Sequence, residues 1–424
     1  MVVHARHETE GGILMELYLN RKSVHETRET YDEFSEMLRN IEELDKWEDL
    51  NEGDLFLTVL PQGSAVPEGR IESKDFVSAS DAQVNELCCE GGFVLFDGKR
   101  SFIPHPTGIS TIIDRAGIKG RLSAALLEED VKEPLASLIN IGLSHYKDSK
   151  VKLLMRGGYA MAVHGSQYAE MSQCEGYEIV DEALSERFPN KKFAGGTFTF
   201  EETSASYSLG DYSDEIMQAY KKAWEKAGMP TAKLKRIQPC ITVNTSDVGE
   251  ACFEIIPMLQ MGAGRMNPLG PAMKVKHRGN NSVGMLKRCI ENTFSALSDA
   301  LDKKLPALMD ITLDYPQPAL VRALDKLGIC KGGSKSMAEL LVRSFERRFD
   351  TYSMVKDSAG NLVADPDRDI LTAFDLYCFI SDMQYYPEFK NLAEQTKERL
   401  IESIYRIPNL DWRDLDEDGP MSIH

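Results

Sequence analysis

Between Ile255 and Ile290 the chain has no aspartate and no glutamate, although across its 424 residues acids outnumber bases by 67 to 49. Long apolar runs are missing too: nothing approaches the ~18 uninterrupted apolar residues of a membrane span. The apolar run Ile13–Leu19 is short and broken by Glu16, which excludes a secretory core as well. The eight cysteines follow no spaced framework, and Cys88 and Cys89 are adjacent, so neither a disulfide scaffold nor a zinc site is encoded. Reduced cysteines and no leader give the expectation of a soluble cytoplasmic protein, in the host cytoplasm if phage-encoded. Catalytic signatures are lacking as well. His25-Glu-Thr-Arg-Glu29 has no second histidine of a zinc-protease helix, and His164-Gly-Ser166 lacks the glycines of a nucleophile elbow. No motif implies a cofactor, and no reaction is assigned.

What is present is an uneven charge. Residues 1–55 hold fifteen acids against six bases, and Asp411–Asp418 adds five acids against Arg413. Against that background, Arg265, Lys274, Lys276, Arg278, Lys287 and Arg288 gather in the acid-free stretch with His277. If Met273–Arg278 is a strand, Lys274, Lys276 and Arg278 share one face, because side chains alternate along a strand. Three cations on one face repel, and an anion lying across them relieves the repulsion. Arg265 lies in the glycine-rich loop Gly262-Ala-Gly-Arg-Met-Asn-Pro-Leu-Gly270, where backbone amides can approach phosphate oxygens. The competing reading is that these bases pair with Asp247, Glu250 and Glu254 nearby. Those three carboxylates could instead converge on Mg²⁺ or Mn²⁺. Phe198, Phe200 and Tyr207 are candidate stacking residues, with core packing as the alternative.

Periodicity gives the organisation. Residues 1–50 read as a charged helical segment with Phe34, Met37, Leu38, Ile41 and Leu44 on one face. Asp54–Leu60 and Gly92–Asp97 read as strands, and 104–146 as helical, with Gly117 closing one helix. Val151–Val163 reads as a strand pair turning at Gly157-Gly158. Tyr177–Phe188 reads as a helix, Thr197–Phe200 and Ser204–Leu209 as strands, and Ser213–Ala227 as a helix. Ile237–Val243 and Glu250–Leu259 read as a hairpin-like pair, Met273–His277 as a further strand. A long helix from Asn281 or Ser282 carries Val283, Leu286, Ile290, Phe294, Leu297 and Leu301, a core-facing stripe or a seam for self-association. After Pro306 the chain reads as mostly helical, with Asp357–Asp369 as a linker. The expected class is α+β: a mixed, mainly antiparallel sheet core at 91–305 with flanking helices. An acidic segment with short strands precedes it at 1–90, and a helical domain follows at 306–424.

From about Pro104 to Met383 the order of elements resembles the phage- and plasmid-borne "domain of unknown function 932" family. The residues that carry the resemblance are Leu154-Met-Arg156-Gly-Gly-Tyr159 with Tyr168, Thr245-Ser-Asp-Val-Gly249, Lys276-His-Arg-Gly279 and Thr372-Ala-Phe-Asp-Leu-Tyr377. Met161 stands where an arginine is usual and Thr245 replaces an asparagine. The resemblance implies the setting of a mobile genetic element rather than a reaction.

Together these readings lead to a phage- or plasmid-type accessory protein that binds nucleic acid, single-stranded by preference, through Arg265, Lys274, Lys276 and Arg278. Arg156 and Tyr168 support that site if their strands adjoin it. The rival readings are an inhibitor of a host protein that uses the acidic ends, and a metal-dependent nuclease or phosphotransferase using Asp247, Glu250 and Glu254.

Overall fold

The structure is a computed structural model describing residues 24–63, 73–128, 130–146, 150–226, 231, 234, 236–248, 252–262, 265–275, 282–348, 354–356, 362–364 and 372–416. Along the chain come β1 (Glu26–Arg28), α1 (Tyr31–Glu42), β2 (Asp45–Asn51), β3 (Phe56–Leu60), α2 (Asp81–Glu90), β4 (Gly92–Phe96) and β5 (Ser101–Pro104). Then follow α3 (Pro106–Arg115), α4 (Arg121–Glu128), α5 (Lys132–Leu143), β6 (Lys150–Arg156), β7 (Tyr159–Gly165), α6 (Gln173–Arg187), β8 (Lys191–Phe198) and β9 (Thr203–Leu209). The central part closes with α7 (Gly210–Lys226), β10 (Ile237–Thr245), β11 (Phe253–Met261), β12 (Arg265–Pro268), β13 (Met273–Val275) and α8 (Ser282–Asp299).

The helix expected through residue 50 stops at Glu42. Thr30 caps its start by accepting the Glu33 amide, and Phe34, Met37, Leu38 and Ile41 bury its apolar face. Leu44 lies beyond the helix, and Asp45–Asn51 instead pairs over its whole length with β6. Long-range strand pairing thus overrides a charged local sequence that carries no apolar alternation.

Two large sheets result. One runs β2-β6-β7-β5-β4-β3; the other runs β1-β8-β9-β10-β11-β12, with β13 also paired to β11. Among the described residues every pairing between these strands is antiparallel except β5 with β7, so the protein is of mixed α+β class with antiparallel-dominated sheets. Residues 26–60, read from sequence as part of an acidic N-terminal segment, supply strands to both sheets. The β6–β7 hairpin turns at Gly157 and Gly158, as expected. Both have positive φ (56° and 89°), which a two-residue turn matching strand twist requires. β7 is buried along most of its length because its two faces serve two cores: Tyr159 and Met161 pack into the large one, Ala160 and Val163 into a smaller one under α3 and α5.

The rest is mostly helical, as expected after Pro306: α9 (Leu305–Asp310), α10 (Pro316–Lys326), α11 (Lys335–Arg348), a β14 (Met354–Lys356) and β15 (Leu362–Ala364) pair, α12 (Ala373–Ser381), α13 (Pro387–Lys390), α14 (Glu394–Arg406) and α15 (Trp412–Leu415). The expected linker at 357–369 lies largely outside the described residues, and its described part, Leu362–Ala364, is a strand. Gly328, with φ of 74°, ends α10: its amide bonds Asp325 and that of Ile329 bonds Leu324, leaving Ile329 buried. The large core is one contiguous cluster that draws residues from Val24 to Leu415, so the helical part packs on the same core as the seven-stranded sheet. Leu286, Ile290, Phe294, Leu297 and Leu301 are buried in that core, so the stripe, read as core-facing or as a self-association seam, faces the core of its own chain. Among the described residues, no helix is long and apolar enough to cross a membrane.

Candidate nucleic-acid interface and the buried ion-pair cluster

Arg156 ends β6, where the backbone aims its side chain between the two sheets, and it is 1 % exposed. Its guanidinium holds Asp45 of β2 in a two-pronged pair, with Nε at 2.5 Å and Nη2 at 2.7 Å from the carboxylate oxygens. The same Nη2 donates to Asp247, in the connection after β10, at 2.7 Å. One cation therefore ties the six-stranded sheet to the seven-stranded one. Gln173, at the start of α6, donates its amide to the same Asp247 oxygen and accepts from Thr203 Oγ1 at 2.7 Å. His164 Nε2 lies 2.6 Å from the Asp247 carbonyl oxygen, and its ring stacks on Tyr168 at 3.9 Å and 5°, with Trp47 stacked beyond at 5.3 Å. Burial pushes the Asp45 carboxyl above its ordinary value; Arg156 opposes that shift, and Asp247 and Glu42 add to it. Two carboxylates share one guanidinium, so burial prevails in the direction of the shift.

Arg156 and Tyr168, read from sequence as supports of a nucleic-acid site, are thus parts of an internal brace. A guanidinium this buried and already bonded to two carboxylates is not presented to a phosphate. Asp247 is committed to that brace rather than to a metal, and Glu254 is committed to Lys274; Glu250 lies outside the described residues. Among the described residues, no group of three histidine, cysteine or acidic side chains is placed to hold a metal ion. Phe198, Phe200 and Tyr207 are 2 %, 3 % and 0 % exposed, so their alternation reflects core packing rather than a stacking platform.

The basic stretch divides. Lys274 on β13 sits in register opposite Glu254 on β11, and its Nζ is 2.7 Å from Glu254 Oε1. The bond to Glu254 raises the Lys274 ammonium above its ordinary value. Arg265 on β12 pairs with Asp382 from the turn after α12, and Tyr385 Oη exchanges hydrogen bonds with the backbone of Met266 beside it. Both cations stay half-exposed, at 56 % for the Lys274 and 49 % for the Arg265 side chain. Lys287 and Arg288 lie on the exposed face of α8, which packs against β11 and β13 through Leu286 and Ile290, and neither has a carboxylate partner among the described residues. Lys276, His277 and Arg278 lie outside the described residues.

The structure therefore brings Lys274 to the same corner as α8, while Arg156 and Tyr168 belong to a different place. Asp45 and Asp382 escape sequence reasoning because each meets its arginine across more than a hundred residues, with no local spacing to mark the pair. Compared with known protein families, with curated proteins and with solved structures, the chain shows no match to any of them.

Proposed function

We propose that the protein binds an anionic polymer, single-stranded nucleic acid in the simplest case, at the corner formed by β12, β13 and the first turns of α8. One observation carries the reading: the acid-free stretch of a strongly acidic chain leaves Lys287 and Arg288 exposed without carboxylate partners among the described residues, beside a half-exposed Lys274. Lys274 and Arg265 each have a carboxylate already. Exposed pairs of this kind contribute only ~0–1 kcal/mol, so a phosphate can exchange with the carboxylate at little cost. The acidic remainder repels a nucleic-acid backbone elsewhere and confines the contact to this corner. The mobile-element setting implied by the resemblance belongs to the same proposal. Electrophoretic retardation of a labelled single-stranded oligonucleotide at low salt tests it. Retardation by the wild type that is lost in Lys287→Glu/Arg288→Glu is the expected outcome; no retardation by the wild type overturns the reading.

A further inference from the structure

The turn at Gly157-Gly158 forms one wall of a cavity of about 230 Å³ on the six-stranded sheet, away from the basic corner. Glu43, Lys46 and Ser78 supply its polar wall, and Leu44 and Met155 its apolar floor. Gln83 closes the remaining side: its amide donates to the Gly157 carbonyl at 2.7 Å while its oxygen accepts the Ser80 amide at 2.8 Å. A side chain at position 158 would meet Gln83 Oε1 at 2.6 Å, so only glycine lets the turn seat against that wall.

Two oppositely charged residues, Lys46 and Glu43, line this cavity, and no ion pair joins them among the described residues. Lys46 has no carboxylate partner among the described residues, and its Nζ makes a long hydrogen bond, 3.5 Å, to Ser78 Oγ. Ser78 is held in the left-handed region, at φ of 59°, which a non-glycine residue seldom adopts. The Glu43 carboxylate likewise has no ion pair among the described residues.

From this geometry we propose that the cavity binds a small zwitterion with an apolar body, of the free α-amino-acid class. The ligand carboxylate goes to Lys46 Nζ and Ser78 Oγ, its ammonium to Glu43, and its aliphatic side chain to Leu44 and Met155. This site is independent of the polyanion corner, and neither reading depends on the other.

Isothermal titration calorimetry on the full chain with L-leucine tests the assignment, with isocaproate (no amine) and isoamylamine (no carboxylate) as single-charge analogues. Leucine is expected to bind, and each analogue to bind at least about tenfold more weakly, the scale of one lost charged hydrogen bond. Lys46→Ala and Glu43→Gln lie at exposed positions and should fold with an unchanged melting temperature, yet each should weaken leucine by about the same factor. No heat with leucine at tens of millimolar overturns the proposal. So does isocaproate binding as tightly as leucine, or leucine affinity unchanged in Lys46→Ala.

Discussion

At the scale of single residues, Arg156 has the largest expected effect. Removing one partner of a buried ion pair strands the others without compensation, which typically costs about 3–5 kcal/mol. Arg156→Ala should lower unfolding free energy in urea by that amount, since it leaves both Asp45 and Asp247 buried without their cation. A loss below about 1 kcal/mol, the scale of an exposed pair, would show that the cluster braces nothing. Asp45 adds a pH dependence of definite sign. Its folded-state value lies above the ordinary carboxylate value because of burial, so the protonated form favours the folded state. That contribution is fully present below the ordinary value and is lost as pH rises through the raised one. The stability difference between wild type and Asp45→Asn, measured in urea across this acidic window, should shift against the wild type as pH rises. A difference that moves the other way would contradict the assignment of burial as the dominant cause.

At the scale of elements, an edge strand offers the clearest test. β3 ends the six-stranded sheet, and its Leu57 peptide is bonded on the open side by the Asn140 side chain of α5: Leu57 N donates to Oδ1 at 2.8 Å, and Nδ2 donates to Leu57 O at 2.7 Å. Asn140 thus takes the place of a neighbouring strand and covers groups that could template pairing with another chain. Asn140→Ala should cost about 1–3 kcal/mol in urea unfolding, the scale of buried groups left unsatisfied; an unchanged midpoint would show that water replaces the amide without loss. Much at this scale was legible in the sequence. The glycine pair at 157–158, the Gly328 stop and the stripe of α8 each have a local cause, a turn, a cap or a 3.6-residue repeat. What stayed hidden has a distant cause. β2, Asp-Lys-Trp-Glu-Asp-Leu-Asn, carries no strand pattern of its own and is a strand because β6 pairs with it. β8 begins at Lys191, six residues before the strand read from sequence, because Lys191–Phe198 pairs with β9.

At the scale of the whole molecule, a charge of −18 contrasts with the acid-free stretch Ile255–Ile290. The acid-free stretch was visible in the sequence, and so was the question of whether nearby carboxylates cancel it. The fold answers for part of it. Lys274 takes Glu254 across a strand pair, as the competing reading expected, and Arg265 takes Asp382, a partner more than a hundred residues away that no spacing could show. Asp247, by contrast, is withdrawn into the brace and pairs with none of the corner's described cations. The measurement that bears most directly on the polyanion reading is the salt dependence of single-stranded oligonucleotide binding by fluorescence anisotropy. Contact through Arg265, Lys274, Lys287 and Arg288 predicts a slope of log affinity against log salt near about −3, at ~0.7 per phosphate on a single strand. Lys287→Glu/Arg288→Glu should reduce that slope by at least about half. No binding at low salt, or a slope left unchanged by the double variant, would contradict the account.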